Sequence, residues 1–340
     1  MERIGIIGEG KMGSGIFNYL LDRDFTLVWN CSEVADVEKI RKQFEKKLTR
    51  WLSTGLIDTG KHHLLEQTII SKDSSVLTDC DLLIEAIPEN LPMKRELFAR
   101  LDGFVKPSCI FTSNSSSINP SLISSATGRK GQFAGLHFFY PVVLKNIVEL
   151  ILPAEATPST VNGLEKFLEK AGKLTLPLDE KNSFILNRIF LDVQVEAYRL
   201  VVENLCSYRQ MDELIKSRLF DFGIFDFMDH VGIDTMLSSV RNYTAGQSGI
   251  SWYMPLIIKL EQLMEQGFTG KKSGRGFYLY PQEETPVAIP QKADLLEDHL
   301  RQTWIASSRR YAARAHIPLD VMNLAICEYF GVKQGPFSAV

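Results

Sequence analysis

What is scarce in this sequence excludes several classes of protein. No apolar run reaches the roughly 20 residues that a bilayer-spanning helix needs, so a membrane is not an expected partner. Met1-Glu2-Arg3 leads straight into a strand-like run with no signal-peptide pattern, and the cytoplasm is the expected compartment. Cysteines are few and odd in number: five among 340 residues, with no CxxC spacing. Cys31, Cys80, Cys109, Cys206 and Cys327 therefore read as buried free thiols, against a disulfide framework or a metal centre. Net charge is nearly absent at −3, so no global field points to nucleic acid.

What is present describes an ordinary globular chain. With 340 residues, 45% of them hydrophobic, it exceeds one ordinary core and calls for two domains of about 100 to 200 residues. Organisation starts at the front, in RIGIIGEGKMGSGIFNYLL from Arg3 to Leu21. Ile4, Ile6 and Ile7 make a short strand, and Gly8, Gly10 and Gly13 follow as GxGxxG. In a dinucleotide site Gly8 turns the backbone, Gly10 leaves room for a pyrophosphate, and Gly13 lets the next helix close on the sheet. That helix, from about Lys11, would aim its free N–H groups at the phosphates. A glycine turn with no ligand has the same sequence, and context separates the two: strand before, amphipathic helix after, second strand at Phe25 to Asn30.

The second strand should end in an acid for the adenosine ribose. Here it ends in Trp29-Asn30-Cys31-Ser32, with neither an acid nor an arginine, which leaves NAD or NADP open. Val37, Ile40, Phe44, Leu48 and Trp51 mark an amphipathic helix whose other face carries Lys39, Arg41, Lys42, Lys46, Lys47 and Arg50. That face is either plainly solvated or set beside a phosphate-rich substrate handle.

Asp81 to Ile87, DLLIEAI, is expected as a strand covered on both faces, and Asn90 caps the helix after it. Glu89 and Lys94 then fall at the carboxyl edge of the sheet, where open α/β sheets bind ligands. Cys109 to Thr112 is another strand, running into Ser113-Asn114-Ser115-Ser116-Ser117, and Asn119-Pro120 caps a further helix. FAGLHFFYPVVLKNIVELIL, Phe133 to Leu152, implies two strands with His137 in the first and Glu149 in the second. Core placement of either alone is unremarked, but together a carboxylate that fixes the imidazole tautomer makes a base suited to neutral pH. Thr157-Pro158 opens a helix with Val161, Leu164 and Leu168 inward and Gly172 past its end, and Leu174 to Leu178 is a last strand. From Ser183 the pattern is helical.

GEGKMGSGI, DLLIEAIPENLPMKRELF, SNSSS, FAGLHFFYP, IVEL, SFILNRI and GKKSGRGFYLY, in this order over about Met1 to Tyr280, resemble the L-3-hydroxyacyl-CoA dehydrogenase family, which includes 3-hydroxybutyryl-CoA dehydrogenases. The resemblance implies a Rossmann-type α/β nucleotide-binding domain followed by an all-α domain, with boundaries expected at 1–180 and 181–280. It implies an NAD-dependent oxidoreductase of fatty acid metabolism that interconverts a 3-hydroxyacyl and a 3-oxoacyl thioester, NADP not excluded. By the same resemblance His137 takes the hydroxyl proton, Glu149 orients it, and Ser116 and Asn187 hold the substrate oxygen. Gly8, Gly10, Lys11, Met12, Gly13, Glu89, Lys94, Ser116 and Lys272 correspond to cofactor contacts, with Cys31 at the place of the ribose acid. No metal is implied.

This chain departs from the family pattern at Cys31, at Tyr140 in place of Asn in HFFNP, at Ser183 in place of Gly, and at Gly223-Ile224-Phe225 in place of GPF. A carrier-protein thioester therefore stands beside CoA as the substrate. The β-hydroxyacid dehydrogenases share the glycine loop and VWN but rely on a helical lysine, and a non-catalytic nucleotide-binding relative is the other rival. Residues 281–290 form a Pro- and acid-rich linker. Beyond it, 288–340 repeats weakly the pattern of Leu191 to Phe227, with Asp320 against Asp212 and Gly335-Pro336-Phe337 against Gly223-Ile224-Phe225. A homodimer is the expected assembly.

Overall fold

A computed structural model describes residues 1–245, 249–282 and 287–337. Part of the expected linker, 283–286, lies outside the described residues. The chain forms two compact units, Met1–Ser183 and Phe184–Val340.

In the first unit, β1 (Arg3–Ile7), β2 (Thr26–Asn30), β3 (Ile69–Ser71), β4 (Leu82–Glu85), β5 (Ile110–Ser113), β6 (Phe133–Phe138), β7 (Ile147–Leu152) and β8 (Leu174–Asp179) form one sheet in the order β3-β2-β1-β4-β5-β6-β7-β8. All neighbours run parallel except β6 and β7, which are antiparallel. The sheet buries both faces, and the period of two divides its side chains. Ile4, Ile6, Leu82 and Ile84 pack to one side with α1 (Lys11–Leu20), while Ile7, Leu83 and Phe111 pack to the other with α4 (Leu91–Asp102). Phe17 of α1 stacks on Trp29 at 4.3 Å, and the Trp29 indole donates to the Gly8 carbonyl at 2.9 Å, which ties the glycine loop to β2.

Local chemistry sets the helix starts. The side chains of Asp36, Asn90 and Thr157 accept N–H groups at the openings of α2 (Val37–Ser53), α4 and α6 (Pro158–Ala171), and Gly172 ends α6 in a left-handed conformation. Asn119 does not cap the short α5 (Pro120–Ser124) as expected. Its side-chain oxygen instead accepts the hydroxyl of Ser183 at 2.8 Å, which gives that departure from the family pattern a structural role.

The second unit is helical. Its spine, α7 (Ile185–Val202), is buried on nearly all sides and begins after Phe184, whose φ of 58° turns the chain. The long α12 (Ala293–Arg314) lies along α7, and α13 (Leu319–Phe330) returns beside it. Two turns in this unit share one geometry. Asp212, in α8 (Tyr208–Arg218), accepts the amides of Phe225 and Asp226 at 2.9 and 3.0 Å, while Asn323, in α13, accepts the amide of Phe337 at 3.0 Å. In both, a Cβ on the glycine of the turn would collide with the acceptor, 2.4 Å from Asp212 at Gly223 and 2.3 Å from Asn323 at Gly335. Among the described residues no helix is long and apolar enough to cross a membrane. All five cysteines are free thiols, with Cys31, Cys80 and Cys109 buried and Cys206 and Cys327 half-buried.

Candidate active site

The glycine loop joins β1 to α1 at the carboxyl edge of the sheet. Gly8 has φ +107°, and a Cβ there would sit 2.8 Å from the Ala86 carbonyl oxygen. A Cβ on Gly13 would come within 2.0 Å of the Gly8 carbonyl oxygen, so any side chain would force loop and helix apart. Gly10 differs from both: nothing lies within 4 Å of where its Cβ would be, and no side chain caps the helix that follows. An open face over uncapped N–H groups, with no acid in the first turn, fits a pyrophosphate. Lys11 is exposed at that opening, and Met12 packs partly on the core.

Beside the loop, two carboxylates gather the ends of β4 and β5. Glu85, fully buried at the end of β4, accepts Lys94 Nζ at 2.6 Å, the Ile87 amide at 2.7 Å and the Ser113 hydroxyl at 2.5 Å. Burial pushes its carboxyl up, and Lys94, Ser113 and the Ile87 amide counter that. Lys94 is itself only 1% exposed, so its first partner is Glu85 and not Glu89, which stands 3.7 Å away. One oxygen of Glu89 instead collects the serine loop: the Ser115 and Ser117 hydroxyls at 2.6 and 2.8 Å and the Ser116 and Ser117 amides at 3.1 and 2.9 Å. Asn114 in the same loop accepts the Phe138 amide at 2.8 Å, which joins the loop to the strand that carries His137.

His137 and Glu149 are direct partners in the antiparallel ladder of β6 and β7. Opposite residues in such a pair project to the same side of the sheet, and here His137 Nδ1 lies 2.7 Å from a Glu149 carboxylate oxygen. Glu149 is fully buried and His137 4% exposed, with the Phe139 ring 4.3 Å from the imidazole. A carboxylate on Nδ1 fixes the tautomer and leaves Nε2 as the ring's basic position.

The other expected site residues lie in the second unit. Asn187 sits in the first turn of α7, its amide nitrogen donating to the Tyr243 hydroxyl at 2.9 Å and its oxygen accepting from the Tyr329 hydroxyl at 3.0 Å. Lys272 is held by Asp234 at 2.6 Å.

Comparison with known proteins decides the family. The 3-hydroxyacyl-CoA dehydrogenase NAD binding domain matches residues 3–181, and the C-terminal domain of the same family matches residues 184–280. The chain belongs to the 3-hydroxyacyl-CoA dehydrogenase family. It is thereby an oxidoreductase acting on a CH–OH group with NAD as its cofactor. The probable 3-hydroxybutyryl-CoA dehydrogenase of Deinococcus radiodurans is 32% identical over 279 residues, 82% of this chain and 100% of that protein. The crystal structure of (S)-3-hydroxybutyryl-CoA dehydrogenase from Ralstonia eutropha is similar with a TM-score of 0.73 at 27% identity, covering 83% of this chain and 100% of that one. That of 3-hydroxybutyryl-CoA dehydrogenase from Escherichia coli gives a TM-score of 0.80 at 18% identity, covering 99% of this chain and 90% of that one. This last likeness is one of fold, and it extends beyond residue 280 to the final helices.

Several interactions were missed in the sequence. Glu85 carries a one-dimensional signal, a lone acid inside an apolar strand, which must find a buried partner. Tyr243 and Tyr329 carry none, being 56 and 142 residues from Asn187. Cys31 is no surrogate acid. Burial first, then the nearby Glu9 charge, push its thiol up to about 11, so it is neutral at physiological pH.

Proposed function

We propose that this family member interconverts a 3-hydroxyacyl-CoA and the corresponding 3-oxoacyl-CoA, with His137 as the general base and Glu149 as the residue that orients it. The observation that carries this is the 2.7 Å contact between His137 Nδ1 and the buried Glu149 carboxylate. NAD, when bound, supplies the hydride acceptor, and the glycine loop is the part of this chain suited to its pyrophosphate. His137 takes the 3-hydroxyl proton on Nε2 as the carbon loses hydride, which avoids both a free alkoxide and a protonated ketone. Glu149 holds the other ring nitrogen and stabilises the imidazolium that forms. In reduction, His137 returns the proton to the developing alkoxide. Ser116 and Asn187 serve as donors to the substrate oxygen, where charge builds in the reverse direction. CoA is the handle we favour over a carrier protein, because the similar dehydrogenases of Deinococcus radiodurans and Homo sapiens are named for coenzyme A.

The test is His137→Gln, assayed by oxidation of NADH with acetoacetyl-CoA and by NADH binding followed in fluorescence. Turnover falls by about two to four orders of magnitude, as loss of a general base does, while the NADH dissociation constant holds. Unchanged turnover removes His137 from the reaction.

A further inference from the structure

The end of β2 offers a dinucleotide no acid of its own. Asn30 spends its side-chain amide on the carbonyls of Ser71 and Lys72 at 3.2 and 3.1 Å, and Cys31 is buried and neutral. Yet a carboxylate stands there. Glu9, the residue between Gly8 and Gly10, reaches across to the first residues after β2, one oxygen accepting the Ser32 amide at 2.9 Å and the other the Ser32 hydroxyl. Burial works against its charge, but the hydrogen bonds from Ser32 outweigh that and hold its carboxyl below the usual range.

We infer that Glu9 is the specificity-determining residue for the cofactor, placing from the glycine loop the negative charge that selects NAD over NADP. In this fold the end of the second strand is where the adenosine ribose is held, and a carboxylate there accepts the 2′-hydroxyl and repels a 2′-phosphate. The loop residue and the strand end converge on that place, so either can supply the group. Cations stand close by, which makes the sign of the region depend on Glu9. Arg41 binds the Ile70 carbonyl at 3.0 Å and Glu38 at 2.9 Å, and Lys72 binds the Glu33 carbonyl at 2.7 Å. Both cations lie near enough to Cys31 to pull its thiol down while Glu9 pushes it up. Neutralising Glu9 therefore removes the carboxylate that opposes Lys72 and Arg41 there and lowers the cost of placing a phosphate beside them.

The experiment measures dissociation constants of NADH and NADPH by fluorescence titration, and of AMP and adenosine 2′,5′-bisphosphate by calorimetry, on the full chain and on Glu9→Gln. The amide keeps the shape and an acceptor for Ser32 but not the charge. We expect the parent to prefer NADH, and Glu9→Gln to bind NADPH about tenfold more tightly than the parent does, the effect of removing one nearby like charge at intermediate dielectric. NADH binding weakens in the same variant. A parent that binds both cofactors alike, or a preference that Glu9→Gln leaves intact, overturns the assignment. Should the variant not fold, the parent alone still decides: raising salt narrows the gap between NADH and NADPH if a charge makes it, and a gap indifferent to salt overturns the assignment.

Discussion

Glu149→Gln tests the proposed base more sharply than removal of His137, because it changes only what the imidazole leans on. The parent carboxylate is fully buried and 2.7 Å from Nδ1, so little water screens it from the imidazolium formed when the hydroxyl proton arrives. With charge centres about 4 Å apart and an effective dielectric of about 20, the attraction lost is about 4 kcal/mol, equivalent to about three decades in rate. The glutamine amide retains a hydrogen bond to the ring, so a fall of about a hundredfold to a thousandfold in kcat is expected, with KM for NADH little changed. The assay is loss of nicotinamide absorbance with acetoacetyl-CoA across pH 6 to 9, beside a thermal melt to show that the fold persists. A variant within about threefold of the parent in kcat refutes the role given to the carboxylate.

Three further outcomes follow from the geometry. Lys94→Met strands the buried Glu85 carboxylate without its cation, and chemical denaturation should show a loss of about 3 to 5 kcal/mol in stability. Asp212 is 4% exposed, and burial pushes its carboxyl up to about 6, against the Phe225 and Asp226 amides and the Tyr278 hydroxyl. A folded-state pKa above the unfolded one means that the contribution of Asp212 to stability is fully present below about pH 4 and is lost as pH rises through 6; across that interval Asp212→Asn should gain on the parent by about 2 kcal/mol, read from urea melts at pH 4.5 and 7. Tyr329→Phe keeps the ring packing, 4.7 Å from Phe330, but removes the hydroxyl that holds the Asn187 oxygen. Turnover should fall about three- to tenfold in the parent and not at all in Asn187→Ala, and equal losses in both backgrounds would make Tyr329 merely structural.

The architecture of the first unit was largely legible because its signals are local. Strand runs, caps and the glycine loop all act within a few residues, and the meeting of His137 with Glu149 follows once two strands are seen to pair. Contacts that cross the chain were not legible. Lys94 has an acid five residues before it in Glu89, yet it pairs with Glu85, because a carboxylate sealed inside a strand needs a cation more than one wetted by a serine loop does. Asn119 had the identity of a cap and gave its oxygen to a serine 64 residues away. Glu9 occupies a position that the GxGxxG pattern leaves unspecified, and its meaning emerges only when β2 is laid alongside.

The antiparallel step between β6 and β7 has a consequence for how this enzyme can change. Gly135 with Ile151, Leu136 with Leu150 and Phe138 with Val148 flank the His137 and Glu149 pair, so backbone bonding alone keeps imidazole and carboxylate in step. Residues 139–146, which join the strands, can then lengthen, shorten or vary in sequence without separating the two. The proton-handling pair is thus insulated from change in the connection, whereas an insertion of one residue within either strand would turn one member of the pair to the opposite face.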